Sequence, residues 1–418
     1  MKEPSRQNVS TITTPVAIFD TVQNIKKITP PSHLKLTFAN EDFELARNFL
    51  REYDGNDATY NSYRREVERV LQWAWLIPKK SILKLSRLDM EEYLNFCKSP
   101  PLHWIAIAKV PRFIDQDGLR VPNSAWRPFV VTVSKIEARQ GVNPDPKEYS
   151  FSDRAFKEIF SVLGSFFNYL IIEGLTELNP VLQIRQKSRF LRKNQGAPII
   201  RRLTELQWDY VIETAKQLAD QNPKMHERTL FIMSALYGMY LRVSELTASV
   251  RWEPRMNHFS KDNDDNWWFT TVGKGNKQRN ITVSDAMLAS LKRWRKHLSL
   301  TTLPTPDDNS PLIPKERGTG AISSTNQIRN IVQFCFDYTI NRMQTDGFAE
   351  EANSLHSATV HWLRHTGISD DVKIRPREHV RDDAGHSSSL TTDKYIDIDL
   401  RERHASGKKK LIDKDVSS

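Results

Sequence analysis

The chain has 418 residues, 39% of them hydrophobic, and a formal charge of +10 with a pI near 9.4. That length exceeds one ordinary core, so two domains plus extensions are expected. Two cysteines, Cys97 and Cys335, rule out a disulfide framework or a zinc site on ligand count, and no apolar run reaches the roughly 18 residues of a membrane span, so a soluble cytoplasmic protein with no membrane role is expected.

Residues 1–37 lack periodicity and read as a flexible or partly ordered extension. From Glu41 the pattern turns helical, first over Glu41–Tyr53 and then over Tyr60–Leu76, where Tyr60, Tyr63, Val67, Val70, Leu71 and Ala74 recur at helical spacing. Arg65 and Arg69 fall four apart on the other face, as candidates for crossing a DNA groove; a solvated basic face is the commoner outcome. Ser86–Phe96 and Asp153–Glu173 continue the helical set, Gly174 suits the position just past a helix end, and Asn179-Pro180 stops the chain. Between 98 and 150 the composition shifts to Pro, Trp and β-branched residues, which predicts an insertion with little helix and a short strand pair. Residues 38–182 are thus one helical domain carrying that insertion.

A basic linker over 183–202 follows. From Arg185 to Arg202 there are seven Lys/Arg and no acidic residue. Arg189, Arg192, Lys193 and Arg201 in this stretch are candidates for holding a phosphate backbone through counterion release; a plain solvated linker is the alternative. In the second domain, Thr204–Leu218 and His226–Tyr240 read as helices. Asn266–Val272 and Asn280–Val283 pair as a hairpin across Gly273-Lys274-Gly275-Asn276-Lys277, with a lysine at its tip. Helices resume at Asp285–Leu298, Thr325–Met343, across His361 and around Tyr395.

The chemistry concentrates late in the chain. His361 and Arg364 sit three apart on one helix face, where an imidazole and a guanidinium suit an anion between them. Gly385-His386 and a lone Tyr395 follow, which points to phosphodiester chemistry through a tyrosine hydroxyl. Each feature alone has a plainer reading. His-x-x-Arg is usually a surface pair, Arg242 and Glu245 a structural ion pair, and Lys274 an exposed turn lysine, with Lys277 or Arg279 able to contact phosphate in its place. Most tyrosines such as Tyr395 are half-buried aromatics.

Together the motifs resemble one family. Leu-Tyr237-Gly238-Met-Tyr-Leu-Arg242-Val-Ser-Glu245-Leu resembles the first arginine box of the tyrosine recombinases (the phage integrase family). Val272-Gly-Lys274-Gly-Asn-Lys-Gln-Arg is similar to their hairpin lysine. His361-Trp-Leu-Arg364-His365-Thr366 resembles the second box, and Ala384-Gly-His386-Ser-Ser-Ser-Leu-Thr391-Thr392-Asp-Lys-Tyr395 the last. The order is the family's, and four motifs in one order are far more specific than any one. Three departures stand out: Tyr240 where glycine is usual, Ala384 where leucine is usual, and Pro376 in a stretch that is usually unbroken helix.

The resemblance implies a site-specific recombinase that is mainly α: a two-domain DNA clamp with a helical core-binding domain (38–182), an α-rich catalytic domain (203–404) bearing a small antiparallel sheet, and a basic tail (405–418). Tyr395 would attack the scissile phosphate, giving a 3′-phosphotyrosine and a free 5′-hydroxyl. Arg242 and Arg364 would clamp the non-bridging oxygens. His361 and His386 would hydrogen-bond the same phosphate, with His361 placed to take the tyrosine proton. Lys274 would protonate the leaving 5′-oxygen, and Glu245 would orient Arg242. No metal, nucleotide or other cofactor is implied. The partners would be double-stranded recombination sites and three further copies of the chain. A type IB topoisomerase-like relaxing enzyme and a DNA-binding accessory protein with a disabled site are the competing readings. The extra N-terminal segment and the 98–150 insertion favour integration or excision of a mobile element over chromosome or plasmid dimer resolution.

Overall fold

The structure is a computed structural model that describes residues 14–28, 30, 36–185, 201–273, 275–386 and 408. Lys274, Arg189, Arg192, Lys193, Tyr395 with its expected helix, and nearly all of the tail lie outside the described residues. Contacts divide the chain into two compact units, 1–197 and 198–418.

Unit 1 is built on helices α1 (Ala39–Arg51), α2 (Asp57–Leu76), α3 (Arg87–Lys98), α4 (Lys135–Arg139), α5 (Asp153–Ile172) and α6 (Pro180–Arg185). The starts are encoded locally: Asn56 accepts from the Thr59 amide, and Ser86 with Asp89 forms a reciprocal capping box. Gly174, at φ 71°, takes the left-handed turn after α5. By length and composition α5 could cross a membrane. Here Ile159, Leu163, Phe166 and Leu170, which share one face, are fully buried in the core of the unit, each contributing about 1.5–3 kcal/mol.

One expectation is narrowed here and another corrected. The N-terminal segment is not a flexible extension throughout: Ile18, Phe19, Val22 and Ile25 are buried, Phe19 stacks on Phe43 at 5.1 Å, and the Asp20 carbonyl accepts from the Tyr60 hydroxyl at 2.8 Å. Its apolar residues need a partner surface that only the assembled helices provide. Arg69 is not a groove-facing side chain either. It is 6% exposed, bonds Glu66 at 2.7 Å and the Pro128 carbonyl at 2.9 Å, and lies over the Phe129 ring. Arg65, half exposed, is paired with Glu66 (2.7 Å) and Glu158 (2.6 Å). The face that carries Arg69 is covered by the insertion, which helical periodicity alone does not reveal. That insertion holds two strand pairs where one was expected. β1 (Ile105–Ala106) runs parallel to β4 (Phe129–Val130), while β2 (Phe113–Gln116) and β3 (Leu119–Pro122) form a hairpin across Asp117-Gly118, both at positive φ.

Unit 2 contains α7 (Glu205–Gln221), α8 (Pro223–Gly238), α9 (Asp285–His297), α10 (Thr325–Thr345), α11 (Ala349–Leu355), α12 (Val360–Asp371) and α13 (Arg377–Ala384). Thr204 and Gln207 cap α7, and Asn222 ends α7 while capping α8, whose first residue is Pro223. Strands β5 (Phe259–Lys261), β6 (Trp267–Val272) and β7 (Gln278–Thr282) form an antiparallel sheet in that order; the sequence suggested β6 and β7 but not β5. Phe269 and Ile281 pair across it on the buried face. Helix α12 packs against α8 closely enough that a Cβ on Gly367 would lie 2.2 Å from the Tyr237 carbonyl oxygen, so glycine is the residue that allows this approach. At Pro376, which has no amide to donate, α12 is already over and α13 begins.

Candidate active site

Arg242 leaves α8 at the start of a short 3-10 turn, and Glu245 ends that turn. The Glu245 carboxylate accepts from the Arg242 amide (2.8 Å) and from Arg242 Nη1 (2.9 Å), and from both terminal nitrogens of Arg279 (2.8 Å each). At 1% exposure, burial works to raise its pKa, but the bonds and charge of Arg279, then of Arg242, bring it below the ordinary carboxylate value. Glu245 is therefore ionised and fixes Arg242, whose side chain stays 27% exposed. Arg242 Nη2 also reaches the Gly385 carbonyl at 3.5 Å.

Arg279, a candidate phosphate contact in the sequence, has a different role. Its side chain is 10% exposed, its Nε donates to the Asp383 carbonyl at 2.9 Å, and its fork is filled by Glu245. It joins β7 to α13 and supports Arg242 through Glu245. Lys277 is exposed on the hairpin turn, and Arg201 is exposed with its charge felt by His365.

Arg364 on α12 is 5% exposed. It donates to the Tyr240 carbonyl, to the Ala384 carbonyl at 2.6 Å, and contacts His386 Nε2 at 3.2 Å. Gly385, at φ 63°, turns the chain after α13 and delivers His386 to this point. His361 is exposed one turn earlier on α12. Desolvation lowers its pKa, reinforced by Arg329, Arg364 and Arg242. Desolvation likewise pushes His386 down to about 4, helped by Arg364 and Arg242, and His365 to about 4, helped by His361 and Arg364. Arginines set around imidazole rings of lowered pKa make a cluster rich in hydrogen-bond donors and positive charge.

The structure thus gathers Arg242, Glu245, His361, Arg364 and His386, drawn from three separate segments of the sequence. Sequence reasoning missed Arg329, whose place beside His361 no motif announces. It also missed Asp371, Arg375 and Asp383, which form an ion-pair cluster behind Arg364. Only the Asp371–Arg375 pair, four apart, left a readable trace.

A helical unit that brings two arginines and two histidines near one another presents donors and positive charge of the kind that suit an oxyanion. Known proteins with similar sequence or fold point to DNA recombinases. No protein-family model matches the chain. The tyrosine recombinase XerC of Alcanivorax borkumensis is 24% identical over 250 residues, which cover 60% of this chain and 71% of that protein. The tyrosine recombinase XerD of Rickettsia prowazekii is 30% identical over 142 residues, 34% of this chain and 42% of that one. The XerH site-specific recombinase, solved on a palindromic difH substrate in a post-cleavage complex, shares the fold with a TM-score of 0.53 at 13% identity, covering 92% of both chains. In sequence the chain is similar to tyrosine recombinases, and it shares with XerH a mainly α fold with a small antiparallel sheet.

Proposed function

We propose that this protein breaks and rejoins DNA at specific sites, with Tyr395 as nucleophile and a 3′-phosphotyrosine as the intermediate that conserves the bond energy. The observation that carries the reading is the contact of Arg364 with His386 at 3.2 Å beside an Arg242 held by buried Glu245. In this reading Arg242 and Arg364 neutralise the charge that develops on the non-bridging oxygens. His386 donates a further hydrogen bond. His361, uncharged and exposed, accepts the tyrosine proton as the O–P bond forms, and Lys274 gives a proton to the departing 5′-oxygen. A free phenol has a pKa of about 10, so this concentration of cations also makes the phenolate accessible near neutrality. Rejoining reverses each transfer, so neither a metal nor a nucleotide enters.

Both units would engage duplex DNA, with Lys277 and the basic 183–202 stretch among the backbone contacts and four copies assembled on two duplexes in the cytoplasm. Integration or excision of a mobile element is the errand we favour, because the 98–150 insertion is a built part of unit 1.

The test works without a defined target sequence. Full-length protein is incubated with a pool of nicked duplexes of randomised sequence, and covalent adducts that survive denaturation are captured and sequenced. An enriched duplex forming a 3′-linked adduct is expected with wild type and none with Tyr395→Phe. No adduct, or one that persists in Tyr395→Phe, overturns the reading. Relaxation of supercoiled DNA without any enriched sequence would favour a topoisomerase instead.

A further inference from the structure

Two of the three departures from the family pattern, Tyr240 and the Arg375-Pro376 break, meet in space. Tyr240 stands at φ 49°, a left-handed conformation disfavoured for a bulky side chain and natural for the glycine usual there. Its ring is 1% exposed, packed in a small core of its own with Ile368, Val380 and Ala384. Its hydroxyl donates to Asp371 and accepts from Arg375 Nη1 at 3.0 Å. Arg375 bonds Asp371 at 3.0 Å and Asp383 at 2.7 Å, and Asp383 accepts from the Thr282 amide at 3.3 Å. The Tyr240 carbonyl is an acceptor for Arg364, and the Ala384 carbonyl next to Asp383 is another.

We infer that Tyr240, Asp371, Arg375 and Asp383 are one positioning cluster that sets Arg364 and the 384–386 turn against the scissile phosphate. The cluster acts through backbone: it fixes two carbonyls, and those carbonyls hold the guanidinium. Arg375 sits one helical turn from Asp371, and the turn at Pro376 into α13 brings Asp383 to its other side. The inference rests on the recombinase reading for the scissile phosphate and the kinetic arm; the positioning of Arg364 and His386 does not depend on it.

Tyr240→Phe, Arg375→Gln and the double variant are compared with Tyr237→Phe. Tyr237 is a matched control, because its hydroxyl bonds Asp370 at 3.1 Å on the same helix pair without touching the clamp. On the captured duplex, Tyr240→Phe and Arg375→Gln are expected to cleave about 10- to 100-fold more slowly, with KM changed less than about threefold. The double variant is expected to be no slower than the worse single one. Tyr237→Phe is expected to cleave at the wild-type rate. Wild-type rates in both cluster variants, or an equal loss in Tyr237→Phe, overturn the inference.

If no duplex is cleaved even by wild type, the recombinase reading fails and imidazole NMR of the free protein decides this one. The His386 ring, faced by Arg364, Arg242, His365 and Arg279, is expected to titrate closer to the ordinary value of about 6.5 in the cluster variants. It is expected to be unmoved in Tyr237→Phe. Unmoved titration in every variant overturns the inference.

Discussion

At the scale of single residues, the site is set by which groups are charged. His365 and His386 are both held near 4 by desolvation and neighbouring cations, against about 6.5 in an unfolded chain. Between those values the unfolded state carries a proton on each ring that the folded state refuses. Folding is therefore favoured above about pH 6.5, and that contribution is lost as pH falls toward about 4. The melting temperature is expected to drop steadily over this window, and less steeply in His365→Asn. A pH-independent melt would show that these rings are charged in the fold. The lowered pKa of His361 suits its proposed role in the same way, since a protonated imidazole cannot accept the tyrosine proton. The contrast between Arg242 and Arg279 belongs here too. Both bond Glu245, but one keeps an open face while the other is closed in by β7 and α13. Sequence alone offered both as phosphate contacts.

Between elements, the decisive contact is the crossing of α8 and α12, which brings Arg242 and Arg364 to one place. It depends on Gly367 accepting the Tyr237 carbonyl at a distance that no side chain tolerates. Gly367→Ala is expected to separate the helices and destabilise unit 2 by about 1–3 kcal/mol or more, as overpacked cores do. Urea unfolding followed by circular dichroism would read it, and an unchanged midpoint would mean the helices slide freely. The hairpin β6–β7 and helices α7 to α10 were legible because capping residues, turn glycines and apolar spacing agree locally. Strand β5 was not. Its three residues, Phe259–Lys261, carry too little pattern to separate from loop and are defined by pairing with β6.

Over the whole molecule, the charge of +10 is distributed unevenly. Many arginines that look available are consumed internally: Arg69 by Glu66, Arg112 by Glu68, Arg293 by Glu227 and Arg295 by Asp308. That leaves the linker as the concentrated basic stretch. Neutralising Arg189, Arg192, Lys193 and Arg201 together is expected to weaken binding to all duplexes alike. It should also make the slope of log affinity against log salt shallower by about 3 to 4, since each phosphate engaged releases close to one counterion. A weakened sequence preference at an unchanged slope would exclude that role, and fluorescence anisotropy at several salt concentrations measures both.

The sequence by itself determined the helical character of both units, their division within 183–202, the hairpin, and the motifs that carry Arg242, Glu245, His361, Arg364 and His386. Such features are carried by local spacing, by caps and by motif order, and do not depend on which distant residues come to lie nearby. Tertiary structure decided which basic residues are spent in the core, that the segment from Ile18 to Ile25 is core rather than tail, and that Tyr240, Asp371, Arg375 and Asp383 form one cluster. Those outcomes depend on contacts between residues far apart in the chain, as when Tyr240 meets Asp371 and Arg375. Burial and partner choice at that range arise only when the helices are assembled.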